Sequence, residues 1–131
     1  MSKKKASRKA AVRNADLWMS RYVRRKAANN QGNARCFTCG RIESWKELQC
    51  GHFQTRSKYS VRWLERNTAP QCVRCNISNG GQQYQFGVEL DRKHGAGTAE
   101  EILIQGNELR KFTTDEILQI AADYRTKYNA L

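Results

Sequence analysis

Proline is nearly missing from this 131-residue chain, with Pro70 alone against five cysteines. Histidine is almost as scarce: His52 and His94 are the only imidazoles available to any chemistry that needs one. Acids are outnumbered two to one, 12 Asp/Glu against 24 Lys/Arg, so acidic partners are favoured over basic ones. No apolar run approaches the roughly 18 residues of a membrane span, and the basic N-terminus lacks the apolar stretch of a secretory signal. These absences argue against a membrane partner and for a reducing compartment, where paired cysteines read as metal ligands rather than disulfides. With 39% apolar residues and a mean hydropathy of −0.83, the core must be modest, and a metal staple would help it fold.

What is present is concentrated. The cation excess lies at one end: residues 1–35 hold eleven Lys/Arg and a single acid, Asp16, whereas residues 80–131 carry more acids than bases. A basic arm on a more balanced domain seeks phosphate. A solubility tail is the plainer reading, but the middle of the chain is basic too, and that favours nucleic acid. Four of the five cysteines form two pairs, Cys36-x-x-Cys39 and Cys72-x-x-Cys75. Their thiols suit one tetrahedral Zn²⁺ with no open position, hence a structural ion. The 32 intervening residues exceed the usual zinc-ribbon gap, so the metal clamps the ends of an inserted segment that carries His52 and Asn67. Cys50 is the spare thiol, and a small buried apolar role suits it best.

Periodicity fills in the frame. Residues 1–13 lack large apolar groups apart from Val12 and read as a mobile basic arm. A helix is predicted from about Ala15 to Ala28, with Trp18, Met19, Tyr22 and Val23 as a core stripe. Ser44 to Phe53 reads as a short extended segment carrying His52, and Gln54 to Thr68 as an irregular loop with some strand. Helices are predicted from about Val73 to Asn79 and from Gln82 to His94, the latter stopped by Gly95. Capping-box spacing at Thr98-x-x-Glu101 and Thr113-x-x-Glu116 opens two more, the last with Ile117, Ile120, Ala121, Tyr124 and Tyr128 on one face.

His52, Asn67 and Asn76 are spaced His-x14-Asn-x8-Asn, and the segment from Asn67 reads NTAPQCVRCN, with the last Asn fused to the second cysteine pair. Here the chain resembles the HNH nucleases of the His-Me finger (ββα-metal) superfamily. It is more closely similar to the phage recombination proteins called NinG or Rap, over about Asp16 to Ile102. The likeness rests on Tyr22-Val-Arg-Arg25, Cys36-x-x-Cys39-Gly40, Gly51-His52-Phe53, Arg56, Arg62, Asn67, Gln71-Cys72-x-x-Cys75-Asn76, Gly80 with Tyr84, and Gly95.

That resemblance implies an α+β fold with a zinc-stapled ββα-metal core over residues 36–95. A helix and linker (14–35) precede it and helices (96–131) follow it. It implies an endonuclease acting on branched recombination or replication intermediates, such as Holliday junctions or D-loops, in the cytoplasm of an infected bacterial host. The substrate would be DNA, branched or partly single-stranded; a four-way junction needs two cuts, which a homodimer would supply.

Hydrolysis of a phosphodiester needs a base, a cation and rigid positioning. His52 is the expected base, Asn67 the expected partner of the imidazole's other N–H, and Asn76 the expected hard oxygen for a catalytic Mg²⁺ or Mn²⁺. HNH nucleases usually place an acid or His immediately before the base, but here that position is Gly51, leaving Asn79, Glu89 and Asp91 as alternative metal ligands. Arg56 and Arg62 match the family pattern and are expected to grip phosphates, with Lys58, Arg66 and Arg74 as further candidates. The runner-up reading is a non-catalytic, zinc-stabilised DNA-binding protein. A zinc-folded adaptor leaves the His/Asn spacing unexplained.

Overall fold

Ser7 caps helix α1 (Arg8–Lys26), its hydroxyl accepting from the Ala10 N–H at 3.1 Å. The computed structural model describes residues 7–131. The helix therefore begins seven residues before the expected start at Ala15, and residues 8–13 of the expected mobile arm are helical. The remainder of that arm, residues 1–6, lies outside the described residues. The cause is a contact that a search for large apolar groups overlooks. Ala11 and Ala15 are fully buried, and their small side chains let α1 pack closely against α5 (Thr114–Asn129). Met19, Tyr22 and Val23 continue that face against Ile117, Ala121 and Tyr124, as the stripes on both helices required.

Between these helices the chain forms two small antiparallel sheets. Strands β1 (Asn33–Arg35) and β2 (Ile42–Ser44) flank the first cysteine pair. Strands β3 (Gln49–His52) and β4 (Thr68–Gln71) pair with His52 opposite Thr68 and Gly51 opposite Ala69. The loop between them holds one helical turn, α2 (Tyr59–Arg62), and a 3-10 turn (Glu65–Asn67). It is more helical than the weak alternation suggested. A π-helical turn (Arg74–Ser78) follows β4 and joins the second cysteine pair to Asn76.

α3 (Gln83–His94) ends at Gly95, whose φ of +113° favours glycine. Phe86 and Leu90 of this helix meet Phe53, Val61 and Ile102 in a second core. α4 (Thr98–Gly106) lacks the expected capping box: Gly97 is the cap, and the Thr98 hydroxyl donates back to the Gly95 carbonyl. The box before α5 is complete, with Thr113 and Glu116 bonding reciprocally. The chain is thus a mixed α+β fold. Among the described residues no helix is long and apolar enough to cross a membrane.

Candidate functional site

The four paired cysteines converge. Their sulfurs lie within 4.8 Å of one another, and Cys39 and Cys72 are 3.8 Å apart. A tetrahedron with Zn–S bonds of about 2.3 Å has edges of about 3.8 Å, so the cluster could hold a zinc ion. Backbone N–H groups of Arg41 and Cys75 already point at the sulfurs of Cys39 and Cys72, each at 3.5 Å. Burial pushes the Cys75 thiol up to about 12 and raises Cys39 as well. Burial also acts upward on Cys36, but hydrogen bonds from the Cys72 and Cys39 backbone and from Thr38 outweigh it and bring this thiol down to about 6. Four thiolates would not coexist here without a cation between them.

His52, Arg56 and Asn76 line one cleft of about 690 Å³. Strand β3 delivers His52 at its last position, where the Nε2 lies 3.1 Å from the Arg62 carbonyl oxygen. That oxygen can only accept, so Nε2 carries the proton and Nδ1 is left as the ring's acceptor. Burial lowers the pKa of His52, holding the ring neutral. The π-helical turn delivers Asn76, whose Nδ2 donates to Gln49 Oε1 at 2.8 Å, leaving the amide oxygen uncommitted.

Asn67 does not orient the imidazole as expected. It is completely buried, accepting from the Gln54 N–H and donating to the carbonyls of Gln54 and Val61. Its work is to tie both ends of the loop between β3 and β4, while the Arg62 backbone holds His52. Arg62 also departs from expectation. Its guanidinium grips Asp16 through two bonds of 3.1 and 2.6 Å and is only 12% exposed, so it is not free to grip a phosphate. Lys58 donates to Asn107, Arg66 pairs with Glu101, and Arg74 is exposed in the second cysteine pair; none of the three lines the cleft. Of the five expected cations Arg56, 62% exposed and 3.7 Å from Asp16, is the one that lines the cleft, where Arg24 also lies.

Gly51 explains why no acid precedes His52. A Cβ at this position would sit 2.0 Å from the side-chain oxygen of Gln71, which crosses directly over it. Gln71 is itself buried and donates to Thr38 and Gly81, coupling the cysteine region to the cleft wall. Its oxygen has no conventional partner and rests on the Gly51 α-carbon. The other candidate ligands are elsewhere: Glu89 bonds Gln85 and Arg92, Asp91 bonds the Ala99 N–H, and Asn79 does not line the cleft. Cys50 does line it, but burial pushes its thiol up to about 12, which leaves it unreactive.

Asp16, Gln49 and Gln71 were missed in the sequence. Asp16 had a signal, as the lone acid among eleven cations, and among the described residues it is the only carboxylate lining the cleft. Gln49 and Gln71 face each other across β3–β4, a register that only the folded hairpin reveals.

Comparison with known proteins gives consistent results. The family model described as "Bacteriophage Lambda NinG protein" matches residues 2–131. The "Protein ninG" of Escherichia phage lambda is 33% identical over 97 residues, 73% of this chain and 47% of the relative. Its namesake in Salmonella phage P22 is 31% identical over the same shares. The chain spans about half the length of the curated relatives it matches. No solved structure matches it.

Proposed function

The chain belongs to the NinG family of bacteriophage lambda, and we propose that it is a metal-dependent DNA endonuclease of the HNH type acting on branched or partly single-stranded DNA. The reading rests on one observation above others: His52 and Asn76, from separate elements, face a single cleft that Arg56 also enters. The order of elements is compatible with it, since the antiparallel strands β3 and β4 are followed by the helical turn bearing Asn76. Nδ1 of His52 takes a proton from water as the water oxygen bonds to phosphorus; one ester P–O bond breaks and the leaving oxygen collects a proton from solvent. Arg56 holds a neighbouring phosphate oxygen. The Arg62 carbonyl keeps the base in place, and Asn67 ties down the loop that carries Arg62. Mg²⁺ or Mn²⁺ held by the Asn76 amide oxygen, waters and the phosphate would neutralise charge on the phosphate and leaving oxygen. Zn²⁺ held by Cys36, Cys39, Cys72 and Cys75 would fix the turn carrying Asn76 and, with no open position, would supply structure rather than chemistry.

A second reading has its own support. With Gly51 in place and Asp16 engaged by Arg62, the cleft offers no free carboxylate, as suits a DNA-binding protein that does not cut. A cleavage assay separates the two, using linear, forked and four-way DNA with and without Mg²⁺ or Mn²⁺. The nuclease reading expects metal-dependent cleavage that His52→Ala abolishes while DNA retention and zinc content persist. Salt-sensitive DNA binding without any cleavage by the unmodified protein would leave the second reading standing.

A further inference from the structure

A second groove, of about 790 Å³, opens beside the cleft, lined by Lys9, Arg13, Asp16, Arg56 and Arg62 among others. The two share Asp16 and Arg56 and so meet there. Among the described residues its only carboxylate is Asp16, already neutralised by Arg62. Lys9 and Arg13 are exposed and, among the described residues, have no acidic partner. Cations that converge without an anion repel one another, and a polyanion relieves that repulsion.

Helical spacing turns the two grooves into one track. Lys9, Arg13, Asp16, Ser20 and Arg24 fall at i, i+4, i+7, i+11 and i+15 of α1, hence on one face. The first three line the second groove, and the last three line the cleft that holds His52. From Lys9 to Arg24 this face runs about 22 Å along the helix, roughly six base steps of duplex DNA at about 3.4 Å each. Tyr22 and Val23 on the buried side hold the helix rigidly against α5.

We infer that the first turns of α1 are a phosphate rail: Lys9 and Arg13 carry the sugar-phosphate backbone of DNA away from the cleft past Arg56. This deepens the proposed function, since it says where the strand goes, but it concerns binding alone. The basic face of α1 thereby acts as a fixed surface.

The test measures DNA affinity against salt concentration in a His52→Ala background, using labelled forked DNA, so that cleavage plays no part. Each phosphate neutralised contributes a slope of about 0.7 on single strands to about 0.9 on duplex. Lys9→Ala with Arg13→Ala is expected to reduce the magnitude of the slope by about 1.4 to 1.8. Arg21→Ala with Arg125→Ala removes the same charge from the two cations that flank the Trp18 ring, outside the groove, and is expected to leave the slope nearly unchanged. The charge-preserving exchange Lys9→Arg with Arg13→Lys is expected to bind as the parent does, and circular dichroism with zinc content confirms folding. Equal losses from both alanine pairs, no loss from the first, or no DNA binding by the parent would overturn the rail. Cleavage by the unmodified protein is scored separately, so the rail can stand where the nuclease reading falls, and the reverse.

Discussion

At the scale of single residues, Gly51 and His52 carry the most information. The Gln71 side chain occupies the space above Gly51, so Gly51→Ala forces an overlap that costs about 1–3 kcal/mol, read by denaturant unfolding. In a Gln71→Ala background the same change is expected to cost much less, which makes the pair strongly non-additive. The pH dependence of cleavage tests His52. Burial lowers its pKa below the usual 6.5, so the active neutral ring persists as the solution is acidified. Cleavage efficiency is expected to stay level as pH falls through 6.5 and to drop only below it. The stability contribution has the same sign: it is intact above the unfolded-state pKa and is lost as acid protonates the buried ring. An acid limb centred above pH 7 would count against His52 as the base.

At the scale of elements, the cysteine cluster and the turn after it act together. Cys72→Ser is expected to lower zinc to well under one ion per chain and to abolish cleavage, because Asn76 starts from the same turn. Metal analysis alongside the cleavage assay checks both halves. Thr113→Ala removes a complete capping box and is expected to lower stability by about 1 kcal/mol, with Thr98→Ala costing less because that hydroxyl is not an N-cap. The contrast shows what the sequence disclosed. Both threonines have the same spacing to glutamate, yet only Thr113 precedes its helix by one residue; Gly97 took that place before α4. The Cys-x-x-Cys pairs were legible because two thiols per turn leave few alternatives. The role of Arg62 was not, since its partner Asp16 lies 46 residues away and no local pattern joins them. The early start of α1 was hidden for a related reason: Ala11 and Ala15 look neutral until α5 is placed against them.

At the scale of the whole molecule, the described residues pack into three small cores, one formed by the α1–α5 pair and one built around Cys36, Cys72 and Cys75. Ala15→Leu tests that pair, since a larger side chain at a fully buried alanine is expected to cost about 1–3 kcal/mol in denaturant unfolding. The two helices run in the same direction, for Arg8 reaches Phe112 just ahead of α5 while Trp18 packs on Tyr128 near its end. Roughly ninety residues separate the end of α1 from the start of α5, a long loop to close during folding. As the polypeptide leaves the ribosome, α1 must therefore wait, apolar flank bare, until the residues through α5 have been translated. A premature stop before Thr114 would strand that flank permanently and hand the truncated product to the host's chaperones and proteases.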